Sequence, residues 1–231
     1  MVAQTALTFP NDTSRHVVVG QTGSGKTHFA LYCLSQRSYD RMPWIIVDSK
    51  RDDLIAEIEN LEEIRIDKKP PSKRGLYVVR PKVSEMKDGT ATGFLYDVWR
   101  NEETGLFFDE GYSFDRFDPG IQTIFTQGRS KHIPVIALSQ KPAWVSPFWF
   151  SESEYKSVFY LDMPADLERI REWMPARTRD PVTGGPIDPY ALPDHHSYWR
   201  YKRDISRVGP CEGFDAIKQR FANRMPRRRW F

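Results

Sequence analysis

Residues 20 to 27 read Gly20-Gln21-Thr22-Gly23-Ser24-Gly25-Lys26-Thr27, the spacing G-x-x-x-x-G-K-[ST] of a phosphate-binding loop. The context fits: an apolar run (Val17, Val18, Val19) precedes the loop, and a helix-compatible run (His28 to Ser35) follows it. Gly20, Gly23 and Gly25 let the backbone turn tightly. Its N–H groups, including those of Gln21, Thr22 and Ser24, then face phosphate oxygens while the next helix points its positive end at the same anion. Lys26 is placed for the β- and γ-phosphates of ATP and Thr27 for Mg²⁺.

Working outward, residues 1–14 form an irregular lead-in broken by Pro10 and Asn11, and Arg15 to Val19 is the first expected strand. A helix from Lys26 to about Arg37 leads to a strand at Trp44 to Val47, closed by Asp48. Leu54, Ile55, Ile58 and Leu61 fall at helical spacing and predict an amphipathic helix over 51–61. After a polar loop at 67–75 come a strand at Leu76 to Val79, a helix at 92–101 and a strand at Gly105 to Phe108. The segment 111–120 reads as mobile; a helix at 121–131 and strands at 135–138 and 157–161 follow, then a helix at 164–173. Strands alternating with helices predict an α/β fold with a mostly parallel central sheet between two helical layers.

Beyond about residue 175 the pattern decays into a proline-rich loop (175–195), with a late strand at 197–201 and a short helix at 214–221. The expected division is a lead-in (1–14), a P-loop ATPase domain (15–205), and a C-terminal extension with a basic tail (206–231).

The chain has 231 residues, enough for one substantial domain, and no apolar run long enough to span a bilayer. Neither does its start resemble a secretory signal. Cys33 lies at a core-like helix position and reads as a buried thiol in a reducing compartment, not half of a disulfide with Cys211. Basic residues number 34 against 31 acidic ones, but five of the arginines lie in residues 220–231, which contain no acid. The remainder is slightly acidic, so any grip on a polyanion must be local.

Leu106-Phe107-Phe108-Asp109-Glu110 is an apolar strand closed by two acids, the Walker B arrangement. Asp109 is expected in the Mg²⁺ shell and Glu110 at the attacking water. The strands expected between the two motifs point to the P-loop branch with an additional strand and a catalytic glutamate. Arg129, at the end of a helix, reads either as an arginine finger for a neighbour's γ-phosphate or as a cation at a helix C-terminus. Gln140, at a strand's carboxyl end, falls where open α/β sheets bind ligands and where the γ-phosphate can be sensed.

In this order GQTGSGKT, WIIVDSK, GLFFDEG and QGRSKHIPVIALSQKP resemble the FtsK–HerA superfamily of ring-forming DNA pumps. The compact size and SQKP ending resemble the genome-packaging ATPases of tectivirus-like viruses with an internal membrane. The resemblance covers about residues 15–175 and carries over Lys26, Thr27, Asp109, Glu110, Arg129 and Gln140; Asp48 also matches, without an assigned mechanism. No N-terminal barrel, membrane anchor or winged-helix DNA reader is recognisable, which favours the viral type over cellular pumps.

The resemblance implies an ATP-driven double-stranded DNA translocase, requiring ATP and Mg²⁺, that packages a viral genome into a preformed capsid. It implies a homo-oligomeric ring, with a hexamer as the expectation, capsid vertex proteins as partners, and residence in the host cytoplasm and at the virion packaging vertex. Contact with viral membrane without a transmembrane span is one further expectation. Arg224, Arg227, Arg228 and Arg229 are candidate DNA or vertex contacts, with a solvated tail as the alternative. The aromatic run Trp144 to Phe150 reads as packing at a subunit interface or over the sheet edge, with a pore loop or membrane contact as alternatives, and His195-His196 reads as a surface turn. Rival functions are a cellular or plasmid DNA pump, a nucleotide-gated assembly module, and a phosphotransferase using Arg169, Arg171 and Arg177 in a lid.

Overall fold

Val17, Val18 and Val19 are all fully buried, because their strand is covered on both faces. Successive side chains of a strand point to opposite sides. Val17 and Val19 thus enter one hydrophobic core and Val18 the other. The same split recurs at Ile45 and Val47 against Ile46, and at Leu106 and Phe108 against Phe107. Two cores on one sheet make the three-layer sandwich.

The computed structural model describes residues 9–174 and 178–225. In chain order the described elements are β1 (Arg15–Val19), α1 (Lys26–Ser35), β2 (Pro43–Val47), α2 (Asp53–Ala56), β3 (Glu62–Glu63), β4 (Gly75–Val79), α3 (Val83–Lys87) and α4 (Thr90–Asn101). They continue as β5 (Gly105–Phe108), α5 (Pro119–Gln127), β6 (Val135–Ser139), α6 (Phe148–Ser151), β7 (Tyr155–Val158), α7 (Pro164–Trp173), β8 (Ser197–Tyr201), β9 (Asp204–Val208) and α8 (Phe214–Arg224).

The sheet order is β3-β4-β2-β5-β6-β1-β7-β8-β9. Every pair from β3 through β7 is parallel; β8 runs antiparallel to both its neighbours, β7 and β9, and is the one reversed strand among the described residues. The additional strand expected between the phosphate loop's strand and the acidic strand is present, and it is β6. The strands that intervene in sequence, β2 and β4, lie on the far side of β5. Gln140 follows β6 directly, so the middle strand delivers a side chain between the other two.

Several elements depart from their expected bounds. The helix expected over 51–61 is a single turn, Asp53–Ala56, capped by Asp52, whose side chain accepts from Leu54 N–H. Asp52 N–H donates to Asp48, and Asn60 adopts φ 61°, so the chain turns early to place Glu62 and Glu63 beside β4. The segment expected to be mobile is held: Gly111 and Phe114 are buried, and a methyl group added at Gly111 would meet the Trp149 ring at 2.2 Å. Trp149 also stacks on Phe125 at 5.3 Å, so the aromatic run packs the core, leaving Trp144 exposed. His195 stands in a turn as expected, at φ 59°.

The late region is more ordered than expected. Strand β9 pairs with β8 through a turn in which Lys202 takes φ 54°. The boundary set at 205/206 falls inside β9. Helix α8 buries Ile217 and Phe221 against the α1 face, with Phe221 stacked on Tyr39 at 6.2 Å. Both edges of the sheet are polar: β3 consists of two exposed glutamates, and β9 carries Asp204 and Arg207.

Candidate active site

The phosphate loop leaves β1 with Gly20 N–H donating to Ser139 O of β6 and Gln21 N–H donating to Tyr160 O beyond β7. It is thus anchored to both neighbouring strands. Gly23 (φ 80°) and Gly25 (φ 88°) adopt left-handed conformations that other residues resist. Gly25 is the N-cap of α1 and supplies no side-chain hydrogen bond, and no acid stands in the helix's first turn. The helix N-terminus is therefore left to an anion. His195 closes one flank, its Nδ1 standing 2.6 Å from where a Cβ on Gly25 would lie.

Lys26 is buried, and burial lowers its pKa, a pull that nearby Glu110 and Asp109 oppose. Thr27, half-buried, follows on α1.

Asp109 and Glu110 end β5 and are both buried. Burial, reinforced by Asp52, Asp48 and Glu110, pushes the Asp109 carboxyl up to about 7. Its Oδ2 is enclosed without a hydrogen-bond partner. An orphaned carboxylate oxygen surrounded by other acids is chemically suited to a hard cation. Among the described residues no cluster of three metal-ligating His, Cys, Asp or Glu exists. A cation held by Asp109 and Thr27 would accordingly take its other oxygens from phosphate and water, as Mg²⁺ does.

Both carboxylate oxygens of Glu110 are engaged. Oε1 accepts the backbone N–H of Gln140 at 3.0 Å, and Oε2 accepts from Lys50 Nζ at 2.5 Å. Gln140 also accepts, through Oε1, the hydroxyl of Thr22 in the phosphate loop at 2.9 Å. Lys26, Thr27, Asp109, Glu110 and Gln140 thus share the carboxyl end of β1, β5 and β6.

Asp48 gains a local explanation: its Oδ2 accepts from Arg80 Nε at 3.0 Å and its Oδ1 from Asp52 N–H at 2.9 Å. It organises the loop that carries Lys50. Sequence reading assigned no role to Lys50 or Arg80, although Lys50 lies in the quoted WIIVDSK two residues after a strand-ending acid.

Arg129 lies elsewhere. It precedes β6, its side chain is 77% exposed, and its nearest acid is Glu154 at 3.9 Å, just before β7. That is the amino end of the strands, roughly 16 Å from the phosphate loop at about 3.3 Å per residue over β6. Arg224 donates to Gln36 O and, at 3.3 Å, to Arg37 O, closing the end of α1. Arg227, Arg228, Arg229 and Arg177 lie outside the described residues. Arg169 does not present itself as a lid arginine: it pairs with Glu172 at 2.5 Å and lies over the Phe150 and Trp173 rings.

No protein-family model matches the chain. The DNA packaging ATPase of Enterobacteria phage PRD1 is 38% identical over 169 residues, which is 73% of this chain and 74% of that protein. The genome packaging NTPase of Sulfolobus turreted icosahedral virus 2, solved with AMPPCP, aligns at TM-score 0.61 and 18% identity, over 87% of this chain and all of that one. The pCW3 conjugation coupling protein TcpA aligns at TM-score 0.54 and 13% identity, over 92% of this chain and 65% of that one. The type VII secretion ATPase EccC of Thermomonospora curvata aligns at 0.56 and 15%, over 94% and 29%. At such identities these structures speak for the fold alone, and they share the mostly parallel α/β architecture. With the PRD1 relative matched over most of both sequences, the chain belongs to the family of viral DNA-packaging ATPases.

Proposed function

We propose that this protein is the ATPase that drives a viral genome into its capsid, with ATP as fuel and double-stranded DNA as the polymer moved. The observation that carries the reading is the buried Glu110 beside the phosphate loop, at the end of an acidic strand one strand away from β1, in a chain of the packaging family.

The α1 N-terminus and loop N–H groups bind the polyphosphate, and Lys26 takes its β- and γ-oxygens. Thr27 and Asp109 would hold Mg²⁺, which when bound neutralises charge on the phosphates. Glu110 orients a water for in-line attack on the γ-phosphorus and accepts its proton. The bond from phosphorus to the β–γ bridging oxygen breaks, and ADP and inorganic phosphate leave. Gln140 touches both the loop and Glu110, so it is placed to relay occupancy of one to the other.

The finer reading is a homo-oligomeric ring, taken as a hexamer, in which Arg129 serves a neighbour's γ-phosphate. The ring works at the capsid's packaging vertex, in contact with capsid proteins and, through them or directly, the viral membrane. Exposure of Arg129 at the end of the sheet remote from its own loop supports action in trans. The basic tail, with Arg224 at its base, is assigned to DNA or the vertex on charge alone. Phosphate release measured with and without duplex DNA, on size-resolved protein, tests the reading. DNA stimulation confined to an oligomer is expected, and a monomer indifferent to DNA overturns it.

A further inference from the structure

Glu110 cannot act on water while both of its oxygens are held as they are. The Gln140 N–H is a backbone donor fixed by β6, but the donor on Oε2 belongs to a long, 30% exposed lysine side chain attached to a different loop. Glu110 itself is fully covered. An ammonium 2.5 Å from the carboxylate draws its charge away from any water and occupies the oxygen that would take the proton.

Two further contacts fix where Lys50 starts from. Its ammonium lies 5.3 Å from the centre of the Tyr112 ring, and the hydroxyls of Ser49 and Ser113 hydrogen bond at 2.8 Å. The β2 loop is thereby tied to the loop that follows Glu110. Lys50 is bonded to Glu110, whose other oxygen is held by Gln140, and Gln140 in turn holds Thr22 of the phosphate loop, so the ammonium sits at the strand end that faces the loop. A γ-phosphate bound at Lys26 and attacked from the Glu110 side would offer Lys50 more negative charge than one carboxylate.

We propose that Lys50 is a positioning residue that distinguishes triphosphate from diphosphate: it latches Glu110 while the γ-position is empty and passes to the γ-phosphate when ATP binds, releasing Oε2 for the water. The inference rests on the nucleotide-hydrolysing reading of the site. ADP brings no γ-charge and leaves the latch closed. Hydrolysis returns Lys50 to Glu110 as phosphate departs.

The test is equilibrium binding of Mg·ADP and of Mg·AMPPCP to the full chain, in four forms: wild type, Lys50→Met, Glu110→Gln, and the double variant. Lys50→Met should weaken AMPPCP about tenfold, a change of about 1.4 kcal/mol, and leave ADP within about twofold. Glu110→Gln frees Lys50 beforehand and should tighten AMPPCP several-fold. In the double variant that gain should vanish, which a purely structural ion pair would not produce. Lys50→Arg, which keeps the charge, should restore most of the discrimination. Equal weakening of both nucleotides by Lys50→Met, or an unchanged AMPPCP affinity in Glu110→Gln, overturns the proposal. Absence of phosphate release by the wild type would sink the hydrolytic reading separately, because the binding cycle does not require turnover.

Discussion

Thr22 in the phosphate loop donates its hydroxyl to Oε1 of Gln140 at the end of β6, across 2.9 Å. The backbone N–H of Gln140 holds Glu110, so the phosphate loop and Glu110 are two hydrogen bonds apart through one glutamine. Gln140→Ala removes the side-chain link and keeps the backbone one. We expect kcat for phosphate release to fall about ten- to a hundredfold while AMPPCP affinity changes less than about threefold, the signature of an interaction used beyond ground-state binding. Comparable losses in both would reduce Gln140 to a brace for the loop.

Glu110→Gln is nearly isosteric and retains an oxygen for the Gln140 N–H, so the fold should survive. Loss of the proton acceptor should lower hydrolysis by about 10² to 10⁴, read by steady-state phosphate release. Nucleotide still bound after gel filtration would separate a chemical defect from a folding one.

The Asp109 carboxyl, ordinarily near 3.8, is pushed up to about 7 by burial and neighbouring acids. Between those values the folded state holds a proton that the unfolded state does not, so this group's contribution to stability declines as pH rises through the window. Asp109→Asn should therefore raise the Tm of the nucleotide-free protein more at pH 8 than at pH 5. A cation must displace that proton. The Mg²⁺ concentration for half-maximal hydrolysis should consequently rise about fivefold between pH 7 and pH 6, and flatten above about pH 8. A pH-independent requirement for Mg²⁺ would contradict this.

Phe221 is fully buried and stacks on Tyr39, so α8 is part of the α1-side core. Phe221→Ala should cost about 3–5 kcal/mol in urea unfolding, as for other large aromatic truncations. A loss below about 1 kcal/mol would mark α8 as an accessory that the ATPase core does not need.

Arg129→Ala should leave AMPPCP binding to dilute, monomeric protein unchanged and lower DNA-stimulated hydrolysis about 10³-fold or more in the assembled form. Mixed with Lys26→Ala subunits, it should recover part of the rate, since each variant supplies what the other lacks. No recovery would return Arg129 to its surface pairing with Glu154.

The parallel core was legible because its strands are buried on both sides and read as unbroken apolar runs, as in Val17 to Val19 and Leu106 to Phe108. The phosphate loop and Walker B acids were legible because their chemistry is local in sequence. Lys50 was not: its partner lies 60 residues away, and only the parallel pairing of β2 with β5 brings them together. Strand β9 was hidden for another reason. Its turn uses Lys202 in a left-handed conformation without the glycine or asparagine that announces a hairpin. The one-turn α2 shows helical spacing overruled by tertiary demand, since Asp48 and the β4 pairing draw the chain away.

Both margins of the sheet discourage strand addition. One ends in two residues, Glu62 and Glu63, with exposed carboxylates, and the other in β9, whose short edge carries the charged Asp204 and Arg207. Neighbouring molecules are thus steered away from continuous backbone ladders and towards loops and helix faces. Side-chain contacts of that kind can be broken and remade, whereas a shared ladder would weld two molecules into one rigid wall.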